Sequence, residues 1–144
     1  MLDERTIDIL LVEDDSVDVM NVQRAFRKNN INNPLHIARN GIEALDMLRG
    51  NDGHKKLNPL PKIILLDINM PKMNGIELLR EIRNDEELRS ISVFIMTTSN
   101  DDHDKFQAYH MNVAGYIVKP ISFEKFVHAV SVLNNYWKLC EQPV

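Results

Sequence analysis

Apolar runs of at most four residues alternate along this chain with longer stretches in which apolar side chains recur every three or four positions. The runs predict strands at Ile7 to Val12, Leu35 to Ala38, Lys62 to Leu66, Ser92 to Met96 and Gly115 to Val118. Four of them are continuously apolar in the middle rather than alternating, the pattern of parallel strands covered on both faces. Between them, Val19, Val22 and Phe26, then Ile42, Leu45 and Leu48, then Ile76, Leu79 and Ile82 carry a helical period. Asp101 to Met111 offers only Phe106, Tyr109 and His110 as a face, which predicts a short, marginal helix. The last helix is the best defined: Phe123, Phe126, Val127, Val130, Leu133 and Trp137 follow Ser122, a residue suited to cap a helix N-terminus. Five strand–helix pairs in strict alternation predict an α/β fold, a doubly wound five-stranded parallel sheet with right-handed crossovers and helices on both faces.

Composition narrows the class. At 144 residues, 44% hydrophobic and 26% charged, the chain has the size and balance of one ordinary globular domain, residues 1–144, with a core from about 7 to 139 and a short tail. The segment 50–61, rich in Asn, Gly, Lys and Pro, reads as a surface loop. No apolar run approaches the roughly 20 residues of a membrane-spanning helix, and the acidic start Met1-Leu2-Asp3-Glu4 is unlike a signal peptide, so a cytoplasmic protein without a membrane partner is expected. A net charge of −4 argues against a nucleic-acid partner, because phosphate neutralisation dominates such binding. The single Cys140 cannot form an internal disulfide.

The candidate chemistry sits at the carboxyl ends of the predicted strands: Glu13-Asp14-Asp15 after the first, Asp67 after the third, Thr97-Thr98-Ser99 after the fourth, Lys119-Pro120 after the fifth. Open α/β sheets bind ligands outside those ends. In the flavodoxin-like order 2-1-3-4-5 the four contributing strands are neighbours, and one pocket can hold all these residues. Glu13, Asp14 and Asp67 so gathered would resist joint ionisation and call for a cation. Hard oxygen ligands suit Mg²⁺, with a carbonyl from the loop after Asp67 as a further ligand. Lys119 and the Thr97 hydroxyl complete equipment for placing a phosphoryl group on a carboxylate.

Glu13-Asp14, Asp67 in Leu66-Asp67-Ile68-Asn69-Met70-Pro71, Gly75, Thr97, Tyr116 and Lys119-Pro120 together resemble the receiver domain of two-component response regulators, over about residues 7 to 139. The long loop before Lys62, the Thr97-Thr98-Ser99 triplet and Tyr136-Trp137 look like the stand-alone regulators paired with cyanobacterial phytochromes. The resemblance implies a phosphoacceptor signalling protein rather than an enzyme proper, one that assists its own phosphorylation and dephosphorylation. It implies Asp67 as the phosphorylated residue, and Glu13, Asp14, Asp67 and the Asn69 backbone carbonyl as Mg²⁺ ligands. Lys119 would pair with the phosphate, and Thr97 and Tyr116 would form the switch. It further implies a sensor histidine kinase as donor and a readout through the face of helix four, strand five and helix five, by homodimerisation, a downstream protein or onward phosphate transfer.

Blander readings stand beside these. Asp15 and Ser16 read as helix caps, Asp18 as solvated helix surface, Gly75 as a position needing a backbone shape denied to other residues, and Pro71 as a turn former. His36, His54, His103, His110 and His128 show no zinc spacing. Phe123, Phe126 and Trp137 read as helix-to-sheet packing, with the stripe reaching Trp137 open to a dimer contact. A flavodoxin-like FMN electron carrier is the alternative of the same fold, but Glu13-Asp14-Asp15 would repel the FMN phosphate. A phosphatase using Asp67 would commonly carry an acid where Asn69 stands, and the complete site argues against an unphosphorylated pseudo-receiver.

Overall fold

The computed structural model describes residues 7–119 and 121–139; Pro120 and Cys140 lie outside them. Strands β1 (Ile9–Val12), β2 (Leu35–Ala38), β3 (Ile63–Leu66), β4 (Ser92–Thr97) and β5 (Gly115–Val118) alternate with helices α1 (Ser16–Lys28), α2 (Gly41–Arg49), α3 (Gly75–Arg83), α4 (Asp102–His110) and α5 (Phe123–Leu139). All strand pairs are parallel and the order is β2-β1-β3-β4-β5. The expected doubly wound sheet is therefore the observed one, with the first strand starting two residues later than its apolar run and the fourth extending to Thr97.

The continuous apolar runs follow from burial on both sides. Within β3, Ile63 and Leu65 join Val19, Val22, Phe26, Phe126, Val130 and Trp137 from α1 and α5, while Ile64 and Leu66 join Ala44, Leu48, Leu78, Leu79 and Ala108 from α2, α3 and α4. A strand with helices on both faces has no position left for a polar residue. β2 and β5, at the sheet edges, are only half-buried over most of their length.

Local chemistry sets the helix starts. The Asp15 side chain accepts from the Val17 and Asp18 amides, so Asp15 is the N-cap and Ser16 already belongs to the helix. Asn40, Asn74 and Asp101 cap α2, α3 and α4 in the same way, and the Ser122 hydroxyl accepts from the Lys125 amide. Two expectations about faces need correction. Ile42 is exposed, because α2 instead buries Gly41, Ala44, Leu45 and Leu48. Phe106 and Tyr109 are exposed and α4 buries only Ala108, since the helix lies with its smallest side chain against the core. Trp137 packs in the core as expected, buried against Phe26 with ring centroids 6.5 Å apart and edge-on, and is not available for a dimer contact; the exposed large apolar side chains of α5 are Val132, Tyr136 and Leu139. Among the described residues no helix is long and apolar enough to cross a membrane.

Candidate functional site

Parallel strands all end at the same edge of the sheet, so the residues following β1, β3, β4 and β5 are brought side by side. Three of them converge: Glu13, Asp14 and Asp67 each offer a carboxylate oxygen, and these atoms lie within 4.8 Å of one another. Glu13 and Asp67 are buried and Asp14 is exposed, which leaves the cluster open on one side.

Lys119 reaches into it from the end of β5. Its Nζ donates to Glu13 Oε1 at 2.9 Å and to Asp18 Oδ2 at 2.7 Å, and stands 3.8 Å from Asp67 Oδ2. Burial alone would push this ammonium downward, but the hydrogen bonds to Asp18 and Glu13 and the nearby charge of Asp67 hold it above its ordinary range. One ammonium does not balance this many carboxylates. Burial, only partly offset by the Lys119 hydrogen bond and reinforced by the charge of Asp67, pushes Glu13 up to about 7. The donor set itself tests the fit of a metal: closely spaced carboxylates, two buried and one open to solvent, with excess negative charge, are what a hard divalent cation requires.

The acceptor loop is held close. The Asn69 amide donates to Asp67 Oδ1 at 3.2 Å, and the Asn69 side chain donates to Thr98 Oγ1 at 3.1 Å, linking the ends of β3 and β4. Gly75 is required here by proximity and not by its torsions, contrary to the sequence expectation: a Cβ at this position would lie 2.7 Å from the Ile68 Cα and press on the Asp67 carbonyl. Its amide donates to the Ile68 carbonyl at 3.0 Å, fastening the start of α3 beneath the acceptor.

Thr97 is fully buried at the end of β4, its hydroxyl oxygen accepting from the Ser99 amide at 3.2 Å. The Tyr116 hydroxyl donates to the Ser99 carbonyl at 3.0 Å, and its ring lies 6.4 Å from that of Tyr109. Both expected switch residues thus hold the same short segment, through Ser99, rather than each other. None of the five histidines belongs to a metal-competent cluster among the described residues; His36 instead pairs with Asp8 at 2.9 Å.

Asp18 is the residue the sequence reading missed. Placed in the first turn of α1, it is only half-buried, and its carboxylate is committed to Lys119 rather than to water alone. The available signal was its position just beyond the Asp15 cap, where the helix start faces the ends of the strands.

Comparisons with known proteins agree with this geometry. The model of the response regulator receiver domain matches residues 9–131. The chain is 40% identical to the probable methanogenesis regulatory protein FilR2 of Methanothrix harundinacea, over 90% of this chain and 82% of that protein. It is 34% identical to response regulator Rcp1 of Synechocystis, over 90% of this chain and 87% of Rcp1. A Mn²⁺-bound form of Rcp1 covers 96% of this chain and 99% of its own with a TM-score of 0.84. The phosphorylated cyanobacterial phytochrome response regulator RcpA shows the same coverage at 31% identity and a TM-score of 0.85. These matches point to phosphorylation signalling and lend nothing to an FMN carrier; the chain belongs to the response regulator receiver domain family.

Proposed function

We propose that this chain accepts a phosphoryl group on Asp67 from the phosphohistidine of a sensor histidine kinase, in a Mg²⁺-dependent transfer, and signals through protein contacts. The observation that carries this reading is the convergence of Glu13, Asp14 and Asp67 with Lys119 at one edge of the sheet. An Asp67 carboxylate oxygen attacks phosphorus in line; the O–P bond forms as the P–N bond to the imidazole breaks, leaving an acyl phosphate. Glu13, Asp14, Asp67 and the Asn69 carbonyl would hold Mg²⁺, which supplies neutralisation of charge on the transferring oxygens. Lys119 adds its ammonium to those oxygens, and the Thr97 hydroxyl offers a hydrogen bond.

The product carries a charge of roughly −1.5 to −2 and three strong acceptors. Drawing Thr97 toward it would disturb the Thr97–Ser99 contact and, through the Ser99 carbonyl, the Tyr116 hydroxyl. The relationship to Rcp1 and RcpA favours a phytochrome-type kinase in the cytoplasm as the donor. The exposed Phe106, Tyr109, Val132 and Tyr136 favour the face of α4, β5 and α5 as the surface for a second copy or a downstream protein.

Acetyl phosphate and Mg²⁺ followed by intact mass measurement test the acceptor. One added phosphoryl group is expected, lost on hydroxylamine treatment and absent in Asp67→Asn; undiminished label in Asp67→Asn would remove Asp67 from the reading. Sedimentation with and without the phosphate mimic beryllofluoride tests the second copy. An increase in mass with the mimic is expected, and an unchanged monomer in both conditions would contradict it.

A further inference from the structure

Lys119 leans away from Asp67. Two of its ammonium contacts are short, to Glu13 and Asp18, and the carboxylate that would receive the phosphoryl group is the farthest of the three at 3.8 Å. The third N–H of the ammonium is free to meet a phosphoryl oxygen on Asp67; as those oxygens draw the ammonium closer one short pair lengthens, and the two differ in what separation costs. Glu13 has a side chain only 1% exposed, with its second oxygen already accepting from the Asp15 amide. Water cannot reach it to replace the ammonium, and its place in the cluster is fixed. The Asp18 side chain is 28% exposed, so water can take over its carboxylate as Lys119 leaves.

From this geometry we propose, resting on the phosphoacceptor reading above, that Asp18 is the resting counter-ion of Lys119: a positioning residue that holds the ammonium off Asp67 until a phosphoryl group draws it across. Asp18 touches neither phosphoryl donor nor acceptor. It acts by stabilising the unphosphorylated arrangement, and thereby sets how tightly a phosphoryl group or its mimic is held. Since α1 carries Asp18 and Lys119 directly follows β5, the pair also ties the start of α1 to the end of β5 only in the resting state.

The test compares wild type, Asp18→Asn and Asp18→Glu by beryllofluoride titration in Mg²⁺, with Asp67→Asn as the blank. Asp18→Asn removes the charge at constant shape and should lower the half-saturating concentration about fivefold, the scale of a partly exposed ion pair. Asp18→Glu, which keeps the carboxylate, should titrate like wild type. In the metal-free protein, the ¹⁵N resonance of the Lys119 ammonium should move in Asp18→Asn and stay in Asp18→Glu. Equal titration curves for wild type and Asp18→Asn, with Asp67→Asn still blank, would overturn the role of Asp18 and leave the acceptor intact. Failure of the wild type to bind the mimic at all would overturn both.

Discussion

Two nine-residue helices flank the site and are built in opposite ways. α3 follows the acceptor strand and buries Gly75, Ile76, Leu78, Leu79 and Ile82; α4 follows the Thr97 strand and buries Ala108 alone. α3 begins with Gly75 pressed against the Asp67–Ile68 backbone, whereas α4 is joined to the site through the Ser99 segment and a hydrogen bond of 2.6 Å from Ser99 Oγ to Asp104 Oδ2. The far end of α4 is secured differently again. Arg83 of α3 donates to the carbonyls of Met111 and Asn112 just past α4, and to Ile91 before β4. The acceptor therefore stands on a rigid support, while the helix beside the switch residues is pinned at its end and has little apolar surface to lose by shifting. Segments with few buried contacts are those that open at low free-energy cost.

The largest effect expected from this contrast is on stability. Leu79→Ala, at a fully buried position of α3, should destabilise the domain by about 2–5 kcal/mol in denaturant titration. Phe106→Ala, at a position of α4 that is 69% exposed, should change it by no more than about 0.5 kcal/mol. Comparable losses would show that α4 is anchored more firmly than its buried surface implies.

A smaller effect concerns pH in the metal-free protein. Glu13 is raised from 4.5 to about 7 by burial, so between those values the folded chain binds more protons than the unfolded one. The contribution of this group is complete below about pH 4.5, falls as pH rises, and is lost above about pH 7. The stability of wild type relative to Glu13→Gln should therefore decline across that window and level off beyond it. A difference independent of pH would mean that Glu13 is ionised throughout.

The sheet and the acid cluster were legible in the sequence for one reason: strands covered on both faces must be apolar throughout, so the first polar residue after each run marks the ligand-binding edge. Glu13, Asp67, Thr97 and Lys119 were found in that way. What escaped depended on tertiary placement. Asp18 carries the same local signature as a solvated first-turn acid, and only the position of α1 against the end of β5 gives it Lys119 as a partner. Phe106, Tyr109 and Ile42 are apolar yet exposed, because helical period identifies a face without saying whether the sheet meets it. Gly75 reads in the sequence as a position needing backbone freedom, while its actual constraint is the Asp67–Ile68 backbone folded back against it, a contact invisible to local pattern.

The central claim is that a phosphoryl group received on the rigid side is read out on the loosely held one. Hydrogen exchange resolved by peptide, with and without beryllofluoride in Mg²⁺, tests it most directly. Exchange should change over α4 and β5 while α3 keeps its protection in both conditions; an unchanged α4, or an equal change in α3, would contradict the account.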